Sequence, residues 1–273
     1  MAQSRNWLAF SVDLEPNKDG TFDNVAKAMA WYDATIPQGT VYATHAIAVD
    51  RPDMLARLAG SHEVGVHVHP REFGHEHDQL AELPPQRQRE LIQRTRVAIA
   101  DATGSEPDEI TTFRAGRHSA SESTLSVLSA LGFEIDASAN VRYDSYLPNA
   151  IRKRIAPFKL DNGLFEIPTS YCRPPLLSRP GLRTAPGRHL TATANTVRSD
   201  QLFCSGSMAI QYLFSALDGG VSMYMHPYDA TSYHSDLENA GATFRTRIEQ
   251  LVDWTDRRFV TATDLLEAER DRE

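Results

Sequence analysis

Apolar and polar positions along the chain follow two rhythms in turn, short stretches of period 2 and longer stretches of period 3.6. That succession is the sign of repeated β-α units around a parallel sheet. Eight stretches read as strands: Trp7 to Leu14, Val41 to Val49, Glu63 to His69, Ile110 to Arg114, Phe133 to Ala137, Phe165 to Tyr171, Val221 to His226 and Phe259 to Thr263. Between them, Pro85 to Thr103 places Leu91, Ile92, Thr95, Ala98, Ile99 and Ala102 on one helical face, and Gly104 supplies the stop. Ser119 to Leu131 predicts another helix, with Ser119-Ala-Ser-Glu122 as a capping box, Leu125, Leu128 and Leu131 as its buried stripe and Gly132 at its end. A last helix puts Phe244, Ile248, Leu251 and Val252 on one side. No linker, composition shift or internal repeat interrupts this pattern, so the 273 residues predict one α/β domain over 1–273, of the size of a single barrel.

One stretch departs from the pattern. Cys172 to Ser199 holds four prolines and five arginines (Arg173, Arg179, Arg183, Arg188, Arg198) without an acid, and reads as a long loop. Two roles are open to it: a solvated connection, or a clamp for an anionic substrate, since arginine pairs bidentately with phosphate. The arginines stand out because the chain as a whole carries 28 Lys+Arg against 36 Asp+Glu, a net charge of −8. That balance excludes a basic nucleic-acid binder. With 41% hydrophobic and 23% charged residues the chain resembles ordinary globular domains, which excludes disorder and coiled coil. It has no apolar run long enough to span a membrane and no signal-peptide core, so the expected location is cytoplasmic. The two cysteines, Cys172 and Cys204, lie far apart and predict neither a disulfide framework nor a thiolate metal site. Any metal must be held by histidine and carboxylate.

Histidine is the compositional anomaly, with five of ten (His62, His67, His69, His75, His77) inside sixteen residues. In Glu63-Val-Gly-Val-His-Val-His69 the strand period sends the valines to one face and His67 and His69 to the other, where two imidazoles could share a metal. The first strand ends Phe10-Ser-Val-Asp-Leu-Glu-Pro16, which puts Asp13 and Glu15 on one face; the proline keeps Glu15 extended. Arg114 and His226 close two further polar strand ends. In α/β barrels the active site forms at the carboxyl ends of strands, so Asp13, Glu15, His67, His69, Arg114 and His226 could converge on one mouth. Two imidazoles and a carboxylate make a catalytic zinc shell with a position open for water. A second carboxylate can act as base, an arginine beside it keeps it ionised, and a histidine across the site can protonate a leaving amine. The bottom-up expectation is metal-assisted hydrolysis of an amide or ester.

These residues resemble the motifs of the polysaccharide deacetylase family, the NodB-homology or carbohydrate esterase family 4 group. Ser11-Val-Asp-Leu-Glu15 is similar to its first motif, His62-Glu-Val-Gly-Val-His67 to the approach to its histidine motif, Phe113-Arg-Ala-Gly-Arg117 to its arginine motif and Met225-His-Pro227 to its last. The order agrees, and the likeness extends over about residues 7 to 265. The resemblance implies a distorted (β/α)7-8 barrel that removes an N-acetyl group from an amino sugar with a divalent metal, zinc first and cobalt or manganese next. It implies Asp13 as catalytic base, His67 as metal ligand, Arg114 as the group that orients the base and His226 as general acid. The family's second aspartate falls on Leu14, which cannot bind metal, so Glu15 is the expected substitute. Its second histidine would fall on Arg71, which leaves His69 as the candidate and His75 or His77 as fallback. Its motif-3 proline is Gly116 here, and Asp136 is the candidate for the aspartate that supports the acid. The expected partner is an acetylated sugar or glycan precursor, open to a phosphate-bearing one such as a cytoplasmic precursor of a surface polysaccharide. Two other readings stand beside it: hydrolysis of a non-glycan C-N bond in a cyclic amide or ureide, and a catalytically inactive glycan-binding barrel. Of the remaining residues, His62 is expected to be structural, His45 an interior strand histidine, and His118 an exposed loop residue. Tyr228 and Asp229 are candidates for the mouth, and Trp31, Tyr32 and Trp254 for packing.

Overall fold

A computed structural model describes residues 6–174, 189–200, 205–217 and 219–272. Its central sheet starts from β1 (Trp7–Leu14), followed by β2 (Thr40–Ala43), β3 (Glu63–Val68), β4 (Thr112–Ala115) and β5 (Ile135–Asp136). A short antiparallel pair, β6 (Phe158–Lys159) and β7 (Phe165–Glu166), closes one edge, and a separate ribbon pairs β8 (Tyr171–Cys172) with β9 (Leu190–Thr191). The last two strands, β10 (Val221–Met225) and β11 (Arg258–Phe259), both return to lie parallel to β1. The sheet order is β10-β1-β2-β3-β4-β5-β7-β6, with β11 beside the start of β1. In a flat sheet, four steps of about 4.8 Å would separate β10 from β4 by roughly 19 Å. Yet the guanidinium of Arg114 on β4 lies 5.2 Å from the ring of Tyr224 on β10, so the sheet is strongly curled. Among the described residues its two edges do not join, and the architecture is the distorted α/β barrel that the family resemblance implies, opened on one side.

The helices are α1 (Val25–Thr35), α2 (His45–Asp50), α3 (Pro52–Ala59), α4 (Pro85–Thr103), α5 (Glu122–Ala130), α6 (Ala194–Arg198), α7 (Gly206–Ala216), α8 (Ala242–Trp254) and α9 (Ala262–Arg270). Helix α4 has the predicted bounds. It starts on a proline, which loses nothing at a first turn, and ends on Gly104 at φ 72°, a left-handed cap that glycine adopts without steric cost. Its Leu91, Ile92 and Ile99 are fully buried against the outer face of the sheet, each contributing about 1.5–3 kcal/mol. A second, smaller core fills the inside of the curl: Ala9, Tyr42, Ile135 and Phe165 from the strands, with Ile167 just after β7, meet Leu265 and Leu266 of α9. This inner plug leaves the carboxyl ends of the strands for polar residues.

Several boundaries differ from expectation. The strand predicted over Val41 to Val49 ends at Ala43, because Thr44 caps a helix, accepting a bond from Ile47 N–H, and His45 opens α2 instead of sitting in a strand. The capping box of α5 is Ser121 with Thr124, two residues later than the one read at Ser119. The strand read over Phe259 to Thr263 is the two-residue Arg258–Phe259, which ends before Thr261 caps α9. The stretch Phe165 to Tyr171 divides between two sheets. Of the arginine-rich loop, Arg179, Arg183 and Arg188 lie outside the described residues, while its far end is ordered as β9 and α6. Among the described residues, no helix is long and apolar enough to cross a membrane.

Candidate functional site

Strand register assembles the site. Asp13 is aligned with Tyr42, His67 with Arg114, and Ser11 with Tyr224, so side chains of one parity from five strands face the inside of the curl at its carboxyl end. His226 follows β10 with the same parity as Tyr224, and Glu15 follows β1 with that of Asp13. They line one cleft of about 260 Å³ together with His67, His69 and Tyr228. The structure thus brings Asp13, Glu15, His67, His69, Arg114 and His226 together. His75 and His77 stay on the surface loop, with His75 bonded to Arg87.

Asp13 and Arg114 form a fully buried ion pair at 2.5 Å. The guanidinium is fixed from three further directions. Its Nε donates to the carbonyl of Ala137 at 3.0 Å, and its plane lies over the rings of Tyr42 and Tyr224, at 4.2 and 5.2 Å. Burial alone would raise the Asp13 carboxyl, but Arg114, aided by His67 and His226, outweighs it and holds the group well below the usual carboxylate range. Asp13 is therefore ionised and aimed, at the floor of the cleft.

Beside it, Glu15, His67 and His69 each offer one donor atom, all within 4.8 Å of one another. Both rings spend Nδ1 on the protein. That of His67 donates to the carbonyl of Arg114 at 2.9 Å, and that of His69 donates to Asp78 at 2.7 Å. The Nε2 atoms consequently converge, 3.1 Å from each other, with Oε2 of Glu15 2.8 Å from His69 and 3.8 Å from His67. An orienting hydrogen bond on the far nitrogen is the usual second tie of a metal-bound imidazole. The two-nitrogen, one-oxygen set suits a divalent ion of the zinc class. Electrostatics agree with a cation site. Burial lowers His67 to about 4, while Glu15 and Asp78 overcome burial and raise His69 well above its ordinary value. A proton on His69, pointing at Glu15 and His67, thus occupies the point a metal ion would share.

His226 stands across from these groups, its Nε2 4.0 Å from Asp13 and 3.8 Å from Glu15. Although burial disfavours its cation, the bond to Asp229 at 3.3 Å and the nearby Glu15 raise its pKa. Asp229 is tied down by the His226 backbone N–H at 2.8 Å and by Arg198 Nε, also at 2.8 Å. The Tyr228 ring stacks on the imidazole at 4.7 Å.

Three expectations need correction. The aspartate beside His226 is Asp229 and not Asp136. Asp136 pairs in register with Phe113, one residue off Arg114, and so faces away from the site, where it is buried with Glu166 and Ser138. His118 is not an exposed loop residue. It is buried, bonded to the Ser138 carbonyl at 3.0 Å and the Tyr224 hydroxyl at 2.9 Å, and forms part of the cleft wall. Arg198, read as part of a loop, is a buried residue of α6 that holds Asp229. Sequence reasoning also passed over Asp78; the spacing His69 to Asp78 carries no periodic signal, because an irregular loop closes the contact. His62 is structural as expected, buried against Asp33 at 3.3 Å. Tyr228 and Asp229 line the mouth, Tyr32 is core and Trp31 packs on Phe244, whereas Trp254 is half exposed.

Comparison with known proteins places this geometry. Residues 3–135, just under half of the chain, match the family model for polysaccharide deacetylase. Among solved structures, a Mycobacterium smegmatis protein named as a polysaccharide deacetylase is similar over 97% of this chain and 91% of its own, at 16% identity and TM-score 0.58. The peptidoglycan deacetylase PdaC from Bacillus subtilis is similar over 98% and 93%, at 12% identity and TM-score 0.53. A CE4 family pseudoenzyme from Bacillus anthracis is similar over 96% of this chain and 65% of its own, at 11% identity and TM-score 0.52. No curated protein matches the chain. The fold is therefore that of the polysaccharide deacetylases, and the motif resemblance to that family holds over residues 3–135. Because a protein named as a deacetylase and one named as a pseudoenzyme share this fold, activity has to be argued from the residues of the cleft.

Proposed function

We propose that the chain is a metal-dependent hydrolase that removes the acetyl group from an N-acetylated amino sugar, the setting being a cytoplasmic precursor of a surface glycan. The observation that carries this reading is the opposition of two groups driven apart in protonation: ionised Asp13 and cation-favouring His226, 4.0 Å from one another, next to the three donors of Glu15, His67 and His69. Titratable neighbours pushed in opposite directions mark the base and the acid of a proton-transfer site. A divalent ion held by Glu15, His67 and His69 would supply Lewis-acid polarisation of the acetyl carbonyl and of water, as zinc, cobalt or manganese can.

The residues of the chain do the rest. Asp13 accepts the proton of the attacking water, its oxygen aimed by Arg114. His226 gives its Nε2 proton to the departing amine, and Asp229 keeps that proton available by holding Nδ1. With each turnover one proton enters at Asp13 and one leaves from His226, and exchange across the open cleft resets both. Tyr228 and His118 wall the cleft on which the sugar would lie.

Acetate release from acetylated amino sugars and short chito-oligosaccharides, by the zinc-loaded protein, tests the reading. Turnover by the parent chain and none by Asp13→Asn is expected. Sugar binding without acetate release by a fully loaded parent chain would sink it in favour of an inactive barrel.

A further inference from the structure

We propose that Asp78 is a positioning residue which, with Gly116 leaving room for the ring, establishes His69 as a metal donor two residues after His67. The proposal rests on the reading of Glu15, His67 and His69 as the cation site. Three observations carry it.

The path of the chain after β3 removes position 71 from the site. Pro70 opens a single 3-10 turn, Pro70–Phe73, that closes on Gly74 at φ 81°. Arg71 leaves on the outside of that turn, exposed, its Nε bonded to the carbonyl of Glu76 at 3.3 Å. A side chain there is turned away from Glu15, whereas His69, still in extended conformation at φ −110°, ψ 110°, points inward.

The loop then returns, and one carboxylate ties both ends. Oδ1 of Asp78 accepts from the Arg71 backbone N–H at 3.3 Å, and Oδ2 accepts from His69 Nδ1 at 2.7 Å. Asp78 therefore holds the loop shut, fixes the ring plane and leaves only Nε2 to face Glu15.

The opposite face of the ring rests on Gly116. A Cβ at that position would stand 2.9 Å from both Cε1 and Nδ1 of His69 and 2.5 Å from the Val68 carbonyl oxygen. The backbone of Gly116 is not left-handed, so what excludes a side chain is space already taken, by the Val68 carbonyl oxygen first and by the imidazole next. The glycine in the arginine motif and the histidine at 69 are thus two parts of one arrangement: a bulkier residue at 116 would press both on the strand end at Val68 and on the ring, and so shift the His69 donor.

The test is zinc titration of the chelator-stripped protein by calorimetry, with cobalt absorption as a readout of coordination, on the parent chain, His69→Ala, Asp78→Ala, Gly116→Ala and the double variant Asp78→Ala/His69→Ala. Asp78→Ala should weaken zinc roughly 10- to 100-fold, the usual cost of losing an outer tie to a metal-bound histidine. Its unfolding temperature in chelator should stay near that of the parent. Gly116→Ala should weaken zinc at least as much and alter the cobalt spectrum. Because Asp78 acts through His69, adding Asp78→Ala to His69→Ala should cost nothing more. Parent-like zinc affinity in Asp78→Ala, or a full additive loss in the double variant, overturns the proposal while leaving the metal reading in place. Should Gly116→Ala fail to fold, the Asp78 series decides alone. Absence of zinc binding by the parent chain overturns both.

Discussion

Replacing Arg114 with Gln removes the cation that faces Asp13 at 2.5 Å, where the two side chains are only 2% and 4% exposed. In the variant, burial pushes the carboxyl up with only His67, His226 and His118 to oppose it. Stranding one partner of a buried ion pair costs about 3–5 kcal/mol. Spread over an unfolding entropy of roughly 2.1 cal/mol/K per residue, that lowers Tm by about 5–9 °C for a chain of this length. Some of this loss comes from the Ala137 carbonyl, which loses its Arg114 donor, so the pH dependence is the diagnostic part. In the parent chain the Asp13 pKa is depressed by folding. Its contribution is complete above the unfolded value, about 3.9, and is lost only as pH falls through the lower folded value. In the variant the folded pKa is raised, so stability is lost as pH rises above about 3.9 toward the new value. The difference between the two proteins should therefore be small near pH 4 and widen toward neutrality. Calorimetric unfolding of both in chelator, between about pH 4 and 8, measures it, and a cycle with Asp13→Asn isolates the pair. A pH-independent gap, or one under roughly 1 kcal/mol as for an exposed pair, would refute the buried-charge argument.

Asp13→Asn should abolish acetate release while zinc stoichiometry, measured by elemental mass spectrometry, stays that of the parent; loss of zinc would make Asp13 a ligand instead of the base. Zinc binding should release close to one proton near neutral pH, because His69 is raised in the metal-free protein and must deprotonate, whereas His67, held at about 4 by burial, is already neutral. Affinity should accordingly climb with pH until His69 titrates, and titrations in buffers of different ionisation enthalpy would show no proton release if His69 were not a donor. Asp229→Asn withdraws the group that raises His226, so the alkaline limb of the pH-rate profile should move to lower pH; an unmoved limb would exclude His226 as the general acid. Arg198→Gln, which frees Asp229 from its 2.8 Å tie, should raise the His226 pKa slightly and lower turnover more than it changes KM; the reverse pattern would make Arg198 a substrate-binding group.

What the sequence determined by itself is what period and order encode. Alternation on β1 and β3 puts Asp13 with Glu15, and His67 with His69, on single faces, and parallel β-α succession sends those faces to one end of the sheet. The bounds of α4 follow from a proline at its start and a glycine at its end, both local steric signals. Tertiary structure decided the contacts that no local rule reaches. Asp136 and Glu15 are both candidate functional carboxylates in the sequence, Glu15 on the face of Asp13 and Asp136 on the family likeness alone, and a single residue of register turns Asp136 outward, since neighbouring strand positions face opposite sides. Asp229 and Arg198 are separated by thirty-one positions and meet only because α6 packs beside the turn after β10; Asp78 reaches His69 only because the loop after Pro70 folds back. His118 looks like a loop residue until the curl of the sheet brings Tyr224 against it. Side-chain facing is a property of two or three consecutive backbone torsions and is written locally, whereas the groups that hold those side chains from behind depend on the closing of loops and on sheet curvature, which sum many small torsions over long separations.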